Sequence, residues 1–245
     1  MGKYIKKGLV NETFKCECCG SEFIFLRRTI KPKYCSKECS TKIRTINNRN
    51  SRFHKKQKLL KNNTCSLCHQ SFNIACLSFH HLTDKKFALS RSNLTRFSQE
   101  EIAQEIKNTV VLCHNCHAKV HHEERNKKQN VLQKRETIYK KEIREKRKKS
   151  LIEISGNKCI CCGLQSDILD VFSFDHIEEK KFQLNKQNLG MRRWDDILEE
   201  VKKCELLCLN CHQLKNILPV GERKIPINIL LRDEKFLNLV NSHLI

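Results

Sequence analysis

The chain has few aromatic residues and no long apolar run. Of its 245 residues, 7% are aromatic and 39% are hydrophobic. Because so little material is available for one large core, we expect several small units that are held together by other means. The low aromatic content also disfavours a platform on which single-stranded bases stack.

Signals for membranes and export are missing as well. No apolar stretch approaches the roughly 20 residues that a membrane-spanning helix needs. The segment from Met1 to Val10 contains lysines but neither the apolar stretch nor the cleavage site of a secretory signal. The sequence therefore predicts a soluble intracellular protein without a membrane partner, located in the cytoplasm, or in the nucleus if the host is eukaryotic or the chain is viral.

Positive charge, in contrast, is abundant. The 48 lysines and arginines outnumber the 27 acidic residues, which gives a formal net charge of +21. This balance argues against a protein specialised for neutral metabolites and favours a polyanionic partner, with double-stranded DNA first and an anionic membrane surface well behind it.

Most of this charge lies in two connecting segments. Residues 42–61 hold eight basic and no acidic residues, and residues 125–149 hold twelve basic and three acidic ones, so together they carry 17 of the 21 net positive charges. Neither segment contains Gly or Pro, and we expect helices in both. Two interpretations remain open: a tether that lies along phosphates, or a solvated helical face without a ligand.

The sixteen cysteines are arranged mainly in pairs. Five pairs enclose two residues and a sixth encloses three, a spacing typical of tetrahedral zinc sites and not of a disulfide framework. The pairs predict three structural zinc sites: Cys16, Cys19, Cys35 and Cys39; Cys65, Cys68, Cys113 and Cys116; and Cys159, Cys162, Cys208 and Cys211. We expect the other four, Cys18, Cys76, Cys161 and Cys204, to be free thiols, although Cys18 and Cys161 lie inside their knuckles and are able to replace a neighbouring ligand.

One internal repeat organises the sequence. Cys113 and His117 recur 95 residues later as Cys208 and His212, and so does His81 as His176. Three further segments keep this register: Lys85-Lys86-Phe87 with Lys180-Lys181-Phe182, Glu105-Ile106-Lys107 with Glu200-Val201-Lys202, and Leu112-Cys-His-Asn-Cys-His117 with Leu207-Cys-Leu-Asn-Cys-His212. Chance does not keep so many positions in one register, so the chain contains two copies of one folding unit.

These patterns divide the chain into six segments. They are an N-terminal four-cysteine zinc finger at 12–41, a basic helical linker at 42–61, repeat 1 at 62–124, a second basic helical linker at 125–154, repeat 2 at 155–218 and an apolar tail at 219–245. The finger resembles a short treble-clef or ribbon-like module, for which DNA, the repeats and a protein partner are all open as targets. We expect the tail to dock on a repeat or on a second chain.

Each repeat carries the same order of chemical groups. After the first cysteine pair comes a short alternating segment, which predicts a strand and ends in His80-His81 or Asp175-His176. After the second pair, His117 and His121, or His212 and Asn216, stand four residues apart, which places them on one face of a helix. One zinc ion would then join the strand to the helix.

At this point the sequence resembles the HNH endonucleases, the ββα-metal nucleases, and in particular their zinc-stapled forms with a Leu-Cys-x-x-Cys-His signature. The resemblance covers about half of the chain, as two tandem units, and implies an α+β fold of small zinc-stapled modules joined by basic helices. It also implies one catalytic Mg²⁺ or Mn²⁺ per unit. Its residues, carried over position by position, are the general bases His81 and His176, the metal ligands His80 with His117 and Asp175 with His212, the further ligands His121 and Asn216, and Asn108 as the residue that orients the base.

This layout suits phosphodiester hydrolysis on chemical grounds. A neutral imidazole deprotonates water near pH 7, and a hard cation neutralises charge on the phosphate and on the departing 3′-oxygen. Because adjacent residues of a strand point to opposite faces, we expect His80-His81 and Asp175-His176 to lie in a turn or a distorted segment, where both can face one phosphate.

The repeats depart from the family pattern in different ways. The position of Asn108 is taken by Lys203 in repeat 2, so the expected orienting residue is missing there. In repeat 1, His80 replaces the commoner acid and suits Mg²⁺ less well than a carboxylate. Asn115 and Asn210 recur inside the final knuckles and are candidates for a compensating hydrogen bond, for capping or for packing of the zinc loop.

The sequence thus favours a metal-dependent DNA endonuclease of restriction, homing or structure-selective type, whose products carry 5′-phosphate and 3′-hydroxyl ends. A monomeric pseudo-dimer that cuts both strands is the preferred form of this hypothesis. The alternative is a zinc-finger protein that binds DNA or RNA on an HNH scaffold without cleaving it. The two differ in their need for the repeated histidine pairs, which a pure scaffold has no reason to keep twice.

Overall fold

The fold is known from a computed structural model, which describes residues 10–27, 32–60, 62–90, 92–128, 135–218 and 221–241. The chain forms two compact units, residues 1–59 and residues 60–245. Both combine helices with small two-stranded antiparallel sheets, so the expected α+β class is confirmed. No helix in the described ranges is both long enough and apolar enough to cross a bilayer.

The N-terminal unit is a hairpin followed by one long helix. Strands β1 (Val10–Lys15) and β2 (Glu22–Arg27) are joined by a turn in which Gly20 adopts a φ of 75° and donates its N–H to the carbonyl of Cys16 at 2.9 Å. Helix α1 (Lys37–Leu59) begins where the Ser36 hydroxyl accepts the N–H of Cys39. The first basic connector is therefore helical at 42–59, as its composition predicts.

The second unit holds both repeats, the second connector and the tail. Repeat 1 is built from β3, α2, α3, β4 and α4, the connector continues as α5, repeat 2 is built from β5, α6, α7, β6 and α8, and the tail adds α9 and α10. The bounds are β3 Leu77–His81, α2 Asn93–Arg96, α3 Gln99–Lys107, β4 Thr109–Cys113, α4 His114–Lys128, α5 Arg135–Ile154, β5 Phe172–His176, α6 Lys186–Met191, α7 Trp194–Val201, β6 Cys204–Cys208, α8 Leu209–Ile217, α9 Ile227–Leu230 and α10 Glu234–Asn241.

The two repeats fold alike. In each, an antiparallel pair of strands ends in a cysteine that leads directly into a helix, and the pairing Leu77↔Cys113 of β3 and β4 corresponds to Phe172↔Cys208 of β5 and β6. A helical excursion joins the strands, and in repeat 1 its helix α3 starts with a capping box between Ser98 and Glu101. The strands and helices predicted around the histidines are therefore confirmed.

The repeats face each other through a reciprocal interface. The N–H of Asn115 donates to Oδ1 of Asn210 at 3.2 Å, and the N–H of Asn210 donates to Oδ1 of Asn115 at 3.2 Å. Helix α8 packs on the 3₁₀ turn before β3, and α4 packs on the equivalent turn before β5. Each contact is thus matched by a second one with the two repeats exchanged, as in a two-fold dimer.

The tail completes the core of the second unit. Ile227, Leu230, Phe236 and Val240 are buried in the cluster that also contains Leu214 of α8. The N–H of Ile227 donates to a carboxylate oxygen of Glu205 at 2.8 Å. Docking on a repeat, one of the two outcomes expected for the tail, is the one observed for residues 221–241.

The second connector is helical in its described parts, which are 125–128 at the end of α4 and 135–154 in α5; residues 129–134 lie outside the described residues. The C-terminal part of α5 belongs to the fold of the unit, because Leu151 and Ile152 are buried and Arg147 donates to the carbonyls of Leu189 and Arg192.

Candidate metal centres and histidine sites

The twelve cysteines predicted to bind zinc come together as three clusters of four. Within each cluster the sulfur atoms lie within 4.8 Å of one another, with the membership expected from the spacing. All sixteen cysteines lie in the described ranges and none forms a disulfide. Each cluster therefore has the number, type and proximity of ligands that a structural zinc ion requires.

Local contacts favour the thiolate form of Cys113, one of the four cluster cysteines of repeat 1. In repeat 1, the N–H of Cys113 donates to the sulfur of Cys65 at 3.3 Å, and the N–H of Cys116 donates to that of Cys113 at 3.4 Å. A hydrogen bond from the thiol of Cys116 is the main cause that lowers the pKa of Cys113 to about 5. Cys204, outside the clusters, has its pKa raised to about 12 by burial, so it remains a thiol as expected.

A fourth candidate metal centre lies in repeat 1 and consists of imidazoles alone. One nitrogen from each of His80, His117 and His121 lies within 4.8 Å of the others. His80 comes from the end of β3, whereas His117 and His121 stand one turn apart on α4, with their Nε2 atoms 3.0 Å apart. The structure thus brings together the three residues that the sequence predicted as ligands in this repeat.

Glu124 holds two of these rings. Its carboxylate oxygens lie 3.3 Å from Nε2 of His80 and 2.8 Å from Nδ1 of His121, which donates to it. A carboxylate that contacts the other nitrogen of a ligating histidine sets the tautomer and the orientation of the ring. The sequence analysis missed Glu124, although its spacing of three and seven residues from His121 and His117 places it on the same face of α4.

The donor set fits a divalent transition-metal ion. Nδ1 of His80 is buried and has no hydrogen-bond partner among the described residues, as expected for a nitrogen reserved for a metal. Burial lowers the pKa of His80, and burial together with the neighbouring histidines lowers the pKa of His117 to about 4. Both rings are therefore neutral near pH 7, and imidazole ligands suit transition-metal ions such as Zn²⁺, Cu²⁺, Fe²⁺ or Ni²⁺ better than Mg²⁺.

The predicted base of each repeat is paired with a buried glutamate. Nε2 of His81 lies 3.1 Å from Oε1 of Glu105 without hydrogen-bond geometry, whereas Nε2 of His176 forms a hydrogen bond of 3.0 Å with Oε1 of Glu200. Burial lowers the pKa of His176, although Glu200 acts in the opposite direction, so this ring is neutral near pH 7. The other ring nitrogen of each histidine is then available for a second contact.

Backbone groups fix these glutamates. Oε1 of Glu105 accepts the N–H of Lys86 at 3.1 Å, and Oε1 of Glu200 accepts the N–H of Lys181 at 2.8 Å. Burial alone would raise the pKa of Glu200, but the ammonium of Lys203 and these backbone donors hold it below its usual value. The carboxylate of Glu200 is therefore ionised, and both carboxylates are oriented by backbone donors before any ligand arrives.

Asn108 is placed near its predicted base through the backbone. It ends α3, and its carbonyl accepts the N–H of Leu82, the residue after His81, at 2.9 Å. In repeat 2 the carbonyl of Lys203 accepts the N–H of Ile177 at 3.0 Å. Repeat 2 therefore keeps this backbone hydrogen bond although it has Lys203 in place of the asparagine. The position of the backbone after the predicted base does not depend on the asparagine side chain.

The expectation of a turn or distorted segment at the paired residues is wrong. His80 and His81 are the last two residues of β3 and keep regular pairing with Val110 and Thr109. The alternation of the strand therefore directs His80 towards α4 and His81 towards Glu105 of α3. The equivalent pair in repeat 2 is divided in the same way.

The candidate ligands of repeat 2 make different contacts. Oδ1 of Asp175 lies 3.4 Å from Nε2 of His212, but its Oδ2 lies 2.8 Å from the ammonium of Lys215. Burial alone would raise the pKa of Asp175, and its contacts with His212 and Lys215 keep it below the usual value. Asp175, His176, His212 and Asn216 all line one groove of about 770 Å³.

Comparison with known proteins gives no match: neither a family model, nor a curated protein, nor a solved structure is similar to this chain. The zinc clusters and the histidine sites therefore rest on the residues and distances given above.

Besides Glu124, three groups that matter here were not assigned a role from the sequence. Glu105 and Glu200 were recognised only as members of the repeat. An acidic residue that recurs in register inside an amphipathic helix could have indicated their role. Lys215 left no such signal, because it appears where the two copies differ.

Proposed function

We propose that the protein is a metal-dependent nuclease acting on double-stranded DNA, with its cleaving centre in repeat 1. The observation that carries this proposal is the end of β3, where His80 joins the imidazole cluster of α4 and the adjacent His81 contacts the carboxylate of Glu105. A metal-binding group and a paired base thus leave the backbone at consecutive residues of a regular strand, the first towards α4 and the second towards α3.

In this proposal each residue has a defined task. His81 takes a proton from the attacking water, and Glu105 holds the ring and stabilises the imidazolium that forms. His80, His117 and His121 would hold the divalent ion, and Glu124 orients two of them. When bound, the ion would supply charge neutralisation at the phosphate and at the departing oxygen.

The charge distribution supports nucleic acid as the substrate. Of the 21 net positive charges, 17 lie in residues 42–61 and 125–149. A polyanion is the partner that such basic segments attract. Two repeats that face each other reciprocally suit a duplex, which has two equivalent strands. The resemblance of the motifs to HNH endonucleases points to the same substrate and to products with a 5′-phosphate.

The test is cleavage of supercoiled plasmid by the zinc-loaded protein with added Mn²⁺ or Mg²⁺. We expect wild type to nick the plasmid, His81→Ala and His117→Ala to lose at least 100-fold in rate, and His69→Asn to behave as wild type. His69 is a suitable control because it is exposed and has a φ of 58°, a conformation that asparagine tolerates. Undiminished nicking by His81→Ala would refute the assignment of the base.

His176→Ala and the His81→Ala/His176→Ala double variant complete the series. Linear product that falls to nicked product in either single variant would indicate two cleaving centres.

A second candidate function is a zinc-stapled protein that binds DNA without cleaving it. The observation that favours it is Lys215, which contacts the candidate metal ligand Asp175 in repeat 2. Tight binding of plasmid without cleavage under any divalent ion would support this candidate over the nuclease.

A further inference from the structure

The two repeats differ at two positions beside their candidate metal ligands. Repeat 2 has Glu205 in β6 and Lys215 in α8, where the same register in repeat 1 gives Val110 in β4 and Val120 in α4. A pair of opposite charges in one copy thus replaces a pair of apolar residues in the other. Because strand pairing is the same in both repeats, the difference is confined to side chains.

Lys215 joins the two acids of repeat 2. Its ammonium lies 2.8 Å from Oδ2 of Asp175 and 3.1 Å from Oε2 of Glu205. Only 1% of its side chain is exposed, and Glu205 is itself fixed by the N–H of Ile227 in the tail. If the ammonium moved into solvent, it would leave two carboxylates without their counter-charge. It is therefore held in place.

This arrangement does not fit a divalent ion. An ion bound to Asp175 would lie about 2.0–2.6 Å from a carboxylate oxygen, and therefore beside an ammonium that is held in place. The two positive charges would repel each other in a region of low dielectric. Repeat 1 has no such conflict, because Val120 carries no charge.

We propose that Lys215 takes the place of the divalent ion in repeat 2, so that the groove of this repeat binds a nucleic-acid phosphodiester without a metal and repeat 1 alone holds the metal. The choice of a phosphodiester rests on the proposed function, whereas the exclusion of the metal does not. Repeat 2 thereby positions the substrate, and cleavage is confined to one strand at a time.

The lining of the groove is suited to a phosphate. Lys148, Lys180, Lys186 and Lys224 contribute four ammonium groups to a space of about 770 Å³, against three carboxylates from Asp170, Asp175 and Glu178. Lys148 and Lys186 share the carboxylate of Asp170, at 3.7 and 3.8 Å. Lys180 and Lys224 are exposed, which leaves their charge available to a ligand at the rim.

The first experiment counts the metal ions bound by the full chain with its zinc in place. Mn²⁺ is titrated into wild type, and bound ions are distinguished from free ions by electron paramagnetic resonance. We expect one ion for wild type, one for Asp175→Asn and none for His117→Ala. Two ions in wild type, with one of them lost in Asp175→Asn, would overturn the proposal.

A second variant tests the role of Lys215 directly. The Glu205→Val/Lys215→Val protein copies repeat 1 at these two positions, and it removes the buried ammonium together with one of the two acids that it contacts. We expect it to bind one more Mn²⁺ than wild type, and to lose that ion again when Asp175→Asn is added. A folded double variant without this gain would show that Lys215 is not what excludes the metal.

The third experiment measures binding of a short duplex DNA by fluorescence anisotropy without added divalent ions, over a range of salt concentrations. Lys180→Gln/Lys224→Gln should weaken binding and reduce the salt slope by about 1 to 2, since each phosphate contact contributes about 0.9. The control Lys158→Gln/Lys235→Gln removes two exposed charges that do not line the groove. Equal losses in both variants would refute the groove as a phosphate site.

These readouts separate the two proposals. A protein that binds one Mn²⁺ and does not cleave DNA refutes the nuclease and leaves the assignment of Lys215 intact. A protein that cleaves DNA and binds two Mn²⁺ ions supports the nuclease and refutes the assignment of Lys215.

Discussion

Replacing Asn210 with alanine should loosen the two repeats of the second unit from each other. Asn210 is buried, and its side chain accepts the N–H of Asn115 across the interface. It also contacts the sulfur of Cys113, where it helps to lower the pKa of that thiol. The variant removes both contacts and leaves the N–H of Asn115 without its partner.

The expected cost follows from these contacts. A hydrogen bond contributes about 1 kcal/mol net, and a buried donor without a partner costs about 1–3 kcal/mol. We therefore expect Asn210→Ala to lower the free energy of unfolding by about 2–4 kcal/mol. Asn115→Ala should cost less, about 1–2 kcal/mol, because Asn115 is only half-buried and water can replace the lost contact.

The assay is urea unfolding followed by the fluorescence of Trp194, the single tryptophan, which lies in α7 of repeat 2. Zinc must be held at one concentration, because a bound metal adds to the apparent stability. Gln213→Ala, on the same helix as Asn210, is the control and should change the free energy by less than about 0.5 kcal/mol. If Asn210→Ala behaves like this control, the reciprocal bonds do not couple the repeats.

Three further changes test other parts of the structure. Glu105→Gln should lower the rate of Mn²⁺-dependent nicking by about 10- to 100-fold with little change in the substrate concentration needed, because it disturbs only the orientation of His81. Phe236→Ala should lower the free energy of unfolding by about 3–5 kcal/mol in the Trp194 assay, because this ring of the tail is fully buried in the core of the second unit. Cys65→Ser should reduce the zinc content by one ion, as measured by atomic absorption, because one cluster loses a ligand.

Each of these changes has a matched control. Glu200→Gln alters the corresponding contact in repeat 2, and an equal loss of nicking there would contradict a single cleaving centre. Leu237→Ala removes a side chain that is 38% exposed beside Phe236, so a comparable loss of stability would argue against burial as the cause. Cys204→Ser changes a cysteine outside the clusters and should leave the zinc content unchanged.

Much of the fold follows from spacing alone. Paired cysteines must come together around a tetrahedral ion, so the three clusters could be assigned without any knowledge of the strands. The 95-residue register likewise located His81 and His176, and the four-residue spacing of His117 and His121 placed both on one helical face. These inferences succeeded because each depends on local geometry.

Contacts between distant segments were harder to foresee. Asn115 and Asn210 recur in register, but a repeat does not reveal whether two equivalent residues serve their own copy or bind each other. In both copies the glutamate follows its histidine along the chain. Glu105 reaches His81 only through the packing of α3 against the strands. Lys215 could not be found from the repeat, because repeat 1 has Val120 at the same position and only shared residues stand out in such a comparison.

The reciprocal interface has a consequence for the history of the chain. A surface that pairs with its own copy would assemble two separate single-repeat proteins equally well, so one gene encoding one repeat would suffice for a homodimer. Such a homodimer has identical halves, and any substitution falls on both. Covalent fusion removes this constraint. It allows repeat 2 to carry the charges of Glu205 and Lys215 while repeat 1 has Val110 and Val120 at the same positions. Two copies of one folding unit can then take different roles within a single polypeptide.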